Sequence, residues 1–174
     1  MSARSDEMDD NMDHVVGIGG YALSGRQEDL IKTFALSTCV GLVYYSARSR
    51  CMGMAHIQLP NARSGGRGDL PSRFVDVAPG FLLSQMSVKL GVTKGELRVS
   101  LYGGIAPRVA EDCFRIGDKN LGVIKEVLKQ LGLAYSEMDT GGQVSRTLVA
   151  HVESGVVEVI RRPMVMPGVV VQRP

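Results

Sequence analysis

A cysteine at position 39 and a histidine at position 56 share the stretch STCVGLVYYSARSRCMGMAHIQLP (37–60), separated by an apolar run and a short basic patch. A thiol that passes its proton to an imidazole becomes a nucleophile, and the protonated imidazole can then act as a general acid. The same two residues can equally be a buried thiol and a hydrogen-bonded imidazole that fill a strand core. Suppose 37–45 and 50–59 form an antiparallel hairpin around the four residues Ser46, Ala47, Arg48 and Ser49. Paired positions then sum to 95, and Cys39 stands directly opposite His56, with Cβ atoms about 4.5–5.5 Å apart. A loop longer or shorter by one residue removes that alignment. The residues alone therefore leave both readings open.

The elements that must position the pair can be read from periodicity and punctuation. HVVGIGGYALSG (14–25) reads as a first strand ending in glycine turns, and TFALSTCVGLVYYS (33–46) and CMGMAHIQL (51–59) as two more. On this reading Thr33 lies on the strand of Cys39 and shares its parity. On the residues alone Thr33 is an ordinary β-branched strand residue. Residues 61–72 form a polar, glycine-rich loop. Over 73–91, Val77, Phe81, Leu82, Val88 and Leu90 recur at helical spacing; Pro79 either kinks that helix or sits in its first turn, and Gly91 stands where a cap belongs. Residues 95–104 alternate as a strand. The clearest helix is 118–132, capped by Asp118, striped by Leu121, Ile124, Leu128 and Leu131, and ended by Gly132. Further strands follow, with Glu153, Ser154 and Gly155 as a hairpin turn. Two helices among seven or so strands predict an α/β or α+β sandwich.

Composition narrows the function classes. A chain of 174 residues with 44% hydrophobic content is expected to be one globular domain, burying about 70% of its unfolded surface. No run of 18 apolar residues suggests a membrane span, and the acidic start lacks the apolar segment of a secretory signal. Three cysteines, at 39, 51 and 113, make neither an even framework nor a CxxC pair, which fits a reducing cytoplasm. Residues 1–13 carry five acids against one base, a net of −4, which leaves +6 on a remainder whose total with the tail is +2. A mildly basic body suits an acidic protein partner. No Lys/Arg stripe alternates with aromatics, so nucleic acid is not expected. Cys39, Cys51, Cys113, His14, His56 and His151 lack the short fixed spacings of a zinc site, so neither metal nor cofactor is expected. His151 reads as structural or surface. The glycines of GIGGYALSG are not followed by the helix that a dinucleotide site needs, and the RGD at 67–69 is read as chance.

The ordered pattern T-x5-C-V … G-M-x-H-x-x-L-P is supplied here by Thr33, Cys39, Val40, Gly53, Met54, His56, Leu59 and Pro60. It resembles the CheD family, the chemoreceptor glutamine deamidases of bacterial and archaeal chemotaxis. LYGGIA (101–106), IGDKN (116–120) and DTGGQVSRTL (139–148) are similar to further motifs of that family. With the two helices among many strands, the resemblance implies a single-domain three-layer α/β/β sandwich, its two main helices packed on a mostly antiparallel β core. The domain is expected over 14–162, between a disordered acidic tail (1–13) and a C-terminal tail (163–174).

The activity implied is hydrolysis of receptor glutamine side chains to glutamate with release of ammonia. Cys39 would attack as a thiolate paired with the His56 imidazolium, His56 would then shuttle protons, and Thr33 would orient it. Ser37 and Thr38, beside the nucleophile, are expected to touch substrate. Arg48, Arg50, Arg63, Arg67 and Arg73 flank the hairpin in sequence, and Arg63 and Arg67 are expected to hold acidic receptor helices. Expected partners are the cytoplasmic helices of chemoreceptors and a CheC-type phosphatase, with the free protein a monomer. The family pattern has Gly-Ser where Ser37-Thr38 stand, a glycine at Met52 and an aspartate at Ser46. A left-handed backbone at Ser37 would cost on the order of 1 kcal/mol. Two other classes remain, a non-catalytic adaptor and a different cysteine hydrolase such as a peptidase.

Overall fold

The structure, a computed structural model, describes residues 12–106 and 115–164. Its strands are β1 (Asp13–Val16), β2 (Tyr21–Ser24), β3 (Leu30–Leu36), β4 (Val40–Ser46), β5 (Cys51–Ile57), β6 (Leu97–Gly103), β7 (Tyr135–Thr140), β8 (Val144–His151) and β9 (Val157–Pro163). Helix α1 (Ala78–Leu90) follows β5, and α2 (Ile116–Gln130) follows β6. One sheet has the order β1-β3-β8-β9 and the other β2-β5-β4-β6-β7. Only β1–β3 and β6–β7 pair in parallel; the other named pairs are antiparallel. The expected three-layer α/β/β sandwich is the arrangement found.

Strands β4 and β5 are buried along their whole length because the five-stranded sheet is covered on both faces. Val40, Leu42 and Tyr44 face α1 and α2, together with Leu82, Met86, Ile124 and Leu128. The alternate residues Val43 and Tyr45 face the four-stranded sheet, where Ile31, Leu36, Leu148 and Ala150 meet them. Gly53 lets α1 approach, since a Cβ there would lie 2.9 Å from the Met86 sulfur.

Pro79 lies in the first turn of α1, where its missing N–H costs nothing, and Gly91 closes the helix at φ +67°. Helix α2 begins two residues earlier than its periodicity suggested. Its N-cap is Arg115, in a left-handed conformation, with no side-chain cap. Asp118 is therefore a first-turn acid that pairs with Arg115, not the cap.

The segments 14–25 and 33–46 are not single strands. The chain turns at residues 17–20 between β1 and β2, and bends at 37–39 between β3 and β4, crossing from one sheet to the other each time. A register shift between Thr33 and Leu36, with Ala35 at φ +56°, prepares the second crossing. Ser37 is not left-handed, so the strain considered for it does not arise. Asp13 and Pro163 belong to strands and not to tails; the acidic leader 1–11 and residues 165–174 lie outside the described residues, as does Cys113. No helix among the described residues is long and apolar enough to cross a membrane.

Candidate active site

Cys39 ends the 37–39 bend, and His56 lies near the end of β5. The β4–β5 register differs from the expected one by two positions. Ser46 pairs with Cys51, the turn is 47–50, and Gly41, not Cys39, stands opposite His56. The cause is local: Ser46 stays in the strand, its Oγ accepts the Ser49 N–H, and Arg50 closes the turn at φ +46°. A shift of two preserves parity, so Cys39 and His56 still share the face between the sheets, as diagonal neighbours. Such neighbours are about 7–8 Å apart along the backbone, within reach of an imidazole. Gly41 presents no side chain between them; a Cβ there would lie 2.9 Å from Leu36 Cδ1.

Thr33 approaches from the other sheet. Its Oγ1 lies 2.7 Å from His56 Nδ1 and 2.8 Å from the Val16 carbonyl oxygen. A carbonyl can only accept, so the single hydroxyl hydrogen goes to Val16, and Nδ1–H must donate to Thr33. That fixes the tautomer. Nε2 carries the lone pair, and among the described residues it has no hydrogen-bond partner. The backbone of His56 is held as well: its N–H donates to Gly20 O at 3.0 Å, and its carbonyl accepts from Gly19 N at 2.8 Å. Thr33 thus meets His56 across the sandwich, not by sharing a strand with Cys39.

Burial decides the charge state. Cys39 is 7% exposed and His56 1%. Desolvation pushes the thiol up to about 11 and the imidazole down to about 4. Both effects favour a neutral thiol beside a neutral imidazole over the thiolate–imidazolium pair expected from sequence. Cys39 makes no hydrogen bond to Nε2; with the sulfur brought within reach, that bare lone pair can take the thiol proton as the sulfur attacks, which is general-base-assisted nucleophilic chemistry.

The bend that carries Cys39 is fastened at three successive carbonyls. Ser37 O accepts from Ile105 N at 2.9 Å, Thr38 O from Asn120 Nδ2 at 3.0 Å, and Cys39 O from Gly104 N at 2.8 Å. Gly103 sits so close that a Cβ would be 2.3 Å from Cys39 O, and its φ is +85°. These contacts explain the glycines of LYGGIA. The DTGGQVSR segment holds a further support, because buried Arg146 donates to Asp139 at 2.8 Å and to the carbonyls of Val144 and Gly141. Gly141 N in turn donates to Gly103 O at 2.9 Å.

The remaining expected site residues are distributed unevenly. Ser37 and Thr38 are half-buried beside Cys39, and Arg63 and Arg67 are exposed in the loop that leaves β5 at the His56 end. Arg48 and Arg50 lie at the opposite end of the hairpin, about 20 Å of strand away, where Arg48 pairs with Glu96 and Arg50 with Gln27. Arg73 is engaged with Gln58 and Asp69. His151 pairs with Glu158 at the surface. Met52 is fully buried between the sheets. No group of three or more His, Cys, Asp or Glu placed for a metal occurs among the described residues.

Sequence reasoning passed over Asn120 and the backbone of Val16, Gly19 and Gly20. A signal for the first existed: Asn120 is a polar residue on the buried stripe that continues through Ile124 and Leu128.

Comparison with known proteins identifies the family. The family model described as CheD chemotactic sensory transduction matches residues 58–161, beginning two residues after His56. A Pyrococcus abyssi protein named probable chemoreceptor glutamine deamidase CheD is 36% identical over 161 residues, covering 91% of this chain and 95% of its own. A continuous span of that share includes Thr33, Cys39 and His56 wherever it begins. A protein of the same name from Thermococcus kodakarensis is 37% identical over 147 residues, covering 83% and 89%. The chemoreceptor glutamine deamidase CheD of Thermotoga maritima is 31% identical over 144 residues, covering 83% and 88%. With a family model over more than half its length and relatives above 30% identity across most of theirs, the chain belongs to the CheD family.

Proposed function

We propose that this protein deamidates glutamine side chains on the cytoplasmic helices of chemoreceptors, using Cys39 as nucleophile, His56 as base and acid, and Thr33 as the group that orients His56. The observation that carries this reading is the Thr33 bridge. It fixes Nδ1–H and leaves Nε2 bare on the face that Cys39 shares. The names of the relatives supply the substrate class.

Attack by Cys39 Sγ on the glutamine amide carbon passes the thiol proton to His56 Nε2 and makes a tetrahedral oxyanion. Collapse breaks the C–N bond, and the imidazolium gives that proton to the departing ammonia. The product is a thioester on Cys39. His56 then takes a proton from water as its oxygen attacks the thioester, the C–S bond breaks, and the proton returns to sulfur. Glutamate remains on the receptor. A neutral resting pair suits the first step, because no buried charge exists before the substrate arrives.

The substrate is a rod of paired helices, so docking is over a surface, with one side chain reaching in. Arg63 and Arg67, exposed in the loop after β5 and without an ion pair among the described residues, are proposed to meet the acidic helices. The free protein is proposed to work as a monomer. A reduced thiol fits the cytoplasm.

Incubation of receptor peptides with wild type and Cys39→Ala, followed by mass spectrometry, tests this. Wild type is expected to convert amide to acid at particular glutamines without cutting the chain, and Cys39→Ala to convert none. Chain cleavage would indicate a peptidase. Binding with no mass change in either protein would indicate an adaptor, for receptors or for a CheC-type phosphatase.

A further inference from the structure

The β4–β5 ladder ends at the pair Val40–Ile57. Cys39 lies just past that end, and so does Gln58, which follows His56 by two residues. Two strands freed from their ladder tend to splay. Here each is also fastened to other segments, but one side chain bridges the two directly: Asn120 Nδ2 donates one N–H to Thr38 O and the other to Gln58 O, each at 3.0 Å. The segment carrying the nucleophile and the segment carrying the base are joined through a single amide.

Asn120 is itself closely packed. It is fully buried on α2. The start of that helix presses so closely on the 103–105 segment that a Cβ on Gly117 would be 1.7 Å from Ile105 O. Its Oδ1 is buried with no hydrogen-bond partner among the described residues. Exchanging nitrogen and oxygen would aim the oxygen at two carbonyls, so the orientation follows from the contacts. A side chain kept in a buried stripe with an oxygen that has no partner among the described residues is costly for stability alone. Its amide donors are what the position needs.

We infer that Asn120 is a positioning residue, setting the separation of Cys39 from His56 by clamping their chain segments beyond the end of the ladder. This rests on the reading of Cys39 and His56 as nucleophile and base. Asn120 touches neither substrate nor reacting atoms. Because displacements near 1 Å at a reacting pair can cost on the order of a hundredfold in rate, losing the clamp should lower kcat and leave KM nearly unchanged.

The test compares Asn120→Asp, which keeps the shape and loses the donors, with Asn120→Ala. Deamidation kinetics are measured beside the rate at which iodoacetamide labels Cys39, alone and combined with His56→Ala. A roughly tenfold or greater fall in kcat with KM little changed is expected. Cys39 labelling should slow, and His56→Ala should add little further slowing once Asn120 is changed. Labelling of Cys51 and the thermal midpoint report the fold. A folded variant with wild-type kcat and labelling would overturn the inference, as would labelling effects of Asn120 and His56 that simply multiply. Failure of both variants to fold would assign Asn120 to stability and overturn it too. If wild type deamidates nothing, the functional reading fails, and the coupling seen in labelling still decides the role of Asn120.

Discussion

Thr33 and His56 belong to different sheets, yet the Thr33 hydroxyl oxygen lies 2.7 Å from His56 Nδ1 and hands its own hydrogen to the Val16 carbonyl. Replacing Thr33 by valine keeps the shape and leaves Nδ1–H and the Val16 carbonyl buried without partners. That should destabilise the fold by about 1–3 kcal/mol and lower kcat on the order of a hundredfold. Thr33→Ser restores the hydroxyl and should recover most of both. Deamidation rates and thermal midpoints of the two variants check this; equal activity in valine and serine forms would remove Thr33 from the mechanism.

Burial gives His56 a second measurable property. Its folded pKa is about 4 against an ordinary 6.5. Between those values the unfolded chain takes up a proton that the folded one refuses. The stability linked to this group is thus complete above pH 6.5 and lost as pH falls, by about 2 kcal/mol at pH 5. Urea unfolding of wild type and His56→Gln from pH 7.5 to pH 5 should show a steeper loss in wild type. Parallel curves would mean that the imidazole is not desolvated.

Thiol labelling separates Cys39 from Cys51. Both are buried and both thiols are raised by burial, but only Cys39 shares a face with a histidine. Alkylation near neutral pH should reach Cys39 first, and His56→Ala should slow that reaction while sparing Cys51. Faster modification of Cys51 would misplace the nucleophile.

The loop after β5 is tested by charge. Changing Arg63 and Arg67 together to glutamine should weaken receptor binding at low salt and flatten its dependence on ionic strength, with Cys39 labelling unaltered. An unchanged affinity at low salt would move the docking surface elsewhere.

Much of the architecture was legible in the sequence. Pro79, Gly91 and the Ile124–Leu128 stripe place both helices, and alternation places β4, β5 and β6. The two crossings between sheets were not: only Ser37, Thr38 and Gly41 interrupt the apolar run of 33–46, and parity arguments assume an unbroken strand. The bulge at Ala35 has no sequence signature, since alanine rarely adopts a left-handed angle. For the same reason the hairpin register was missed: Ser46 was assigned to the turn, and a left-handed arginine closes it instead. Parity survived that error because the shift was even, so Cys39 and His56 still share a face, diagonal instead of opposed. Asn120 was overlooked because its task is defined by two carbonyls that are distant in sequence.

The sheet-to-sheet crossing at 37–39 also has a consequence for when the chemistry becomes available. Cys39 lies in the bend that leads into β4 and His56 on β5 of the five-stranded sheet, whereas Thr33 and the Val16 carbonyl, which meet His56 Nδ1 through one hydroxyl, belong to the four-stranded one. On the proposed roles, the orientation of the imidazole therefore depends on the docking of the two sheets, so separating the layers should abolish deamidation before it unfolds either sheet.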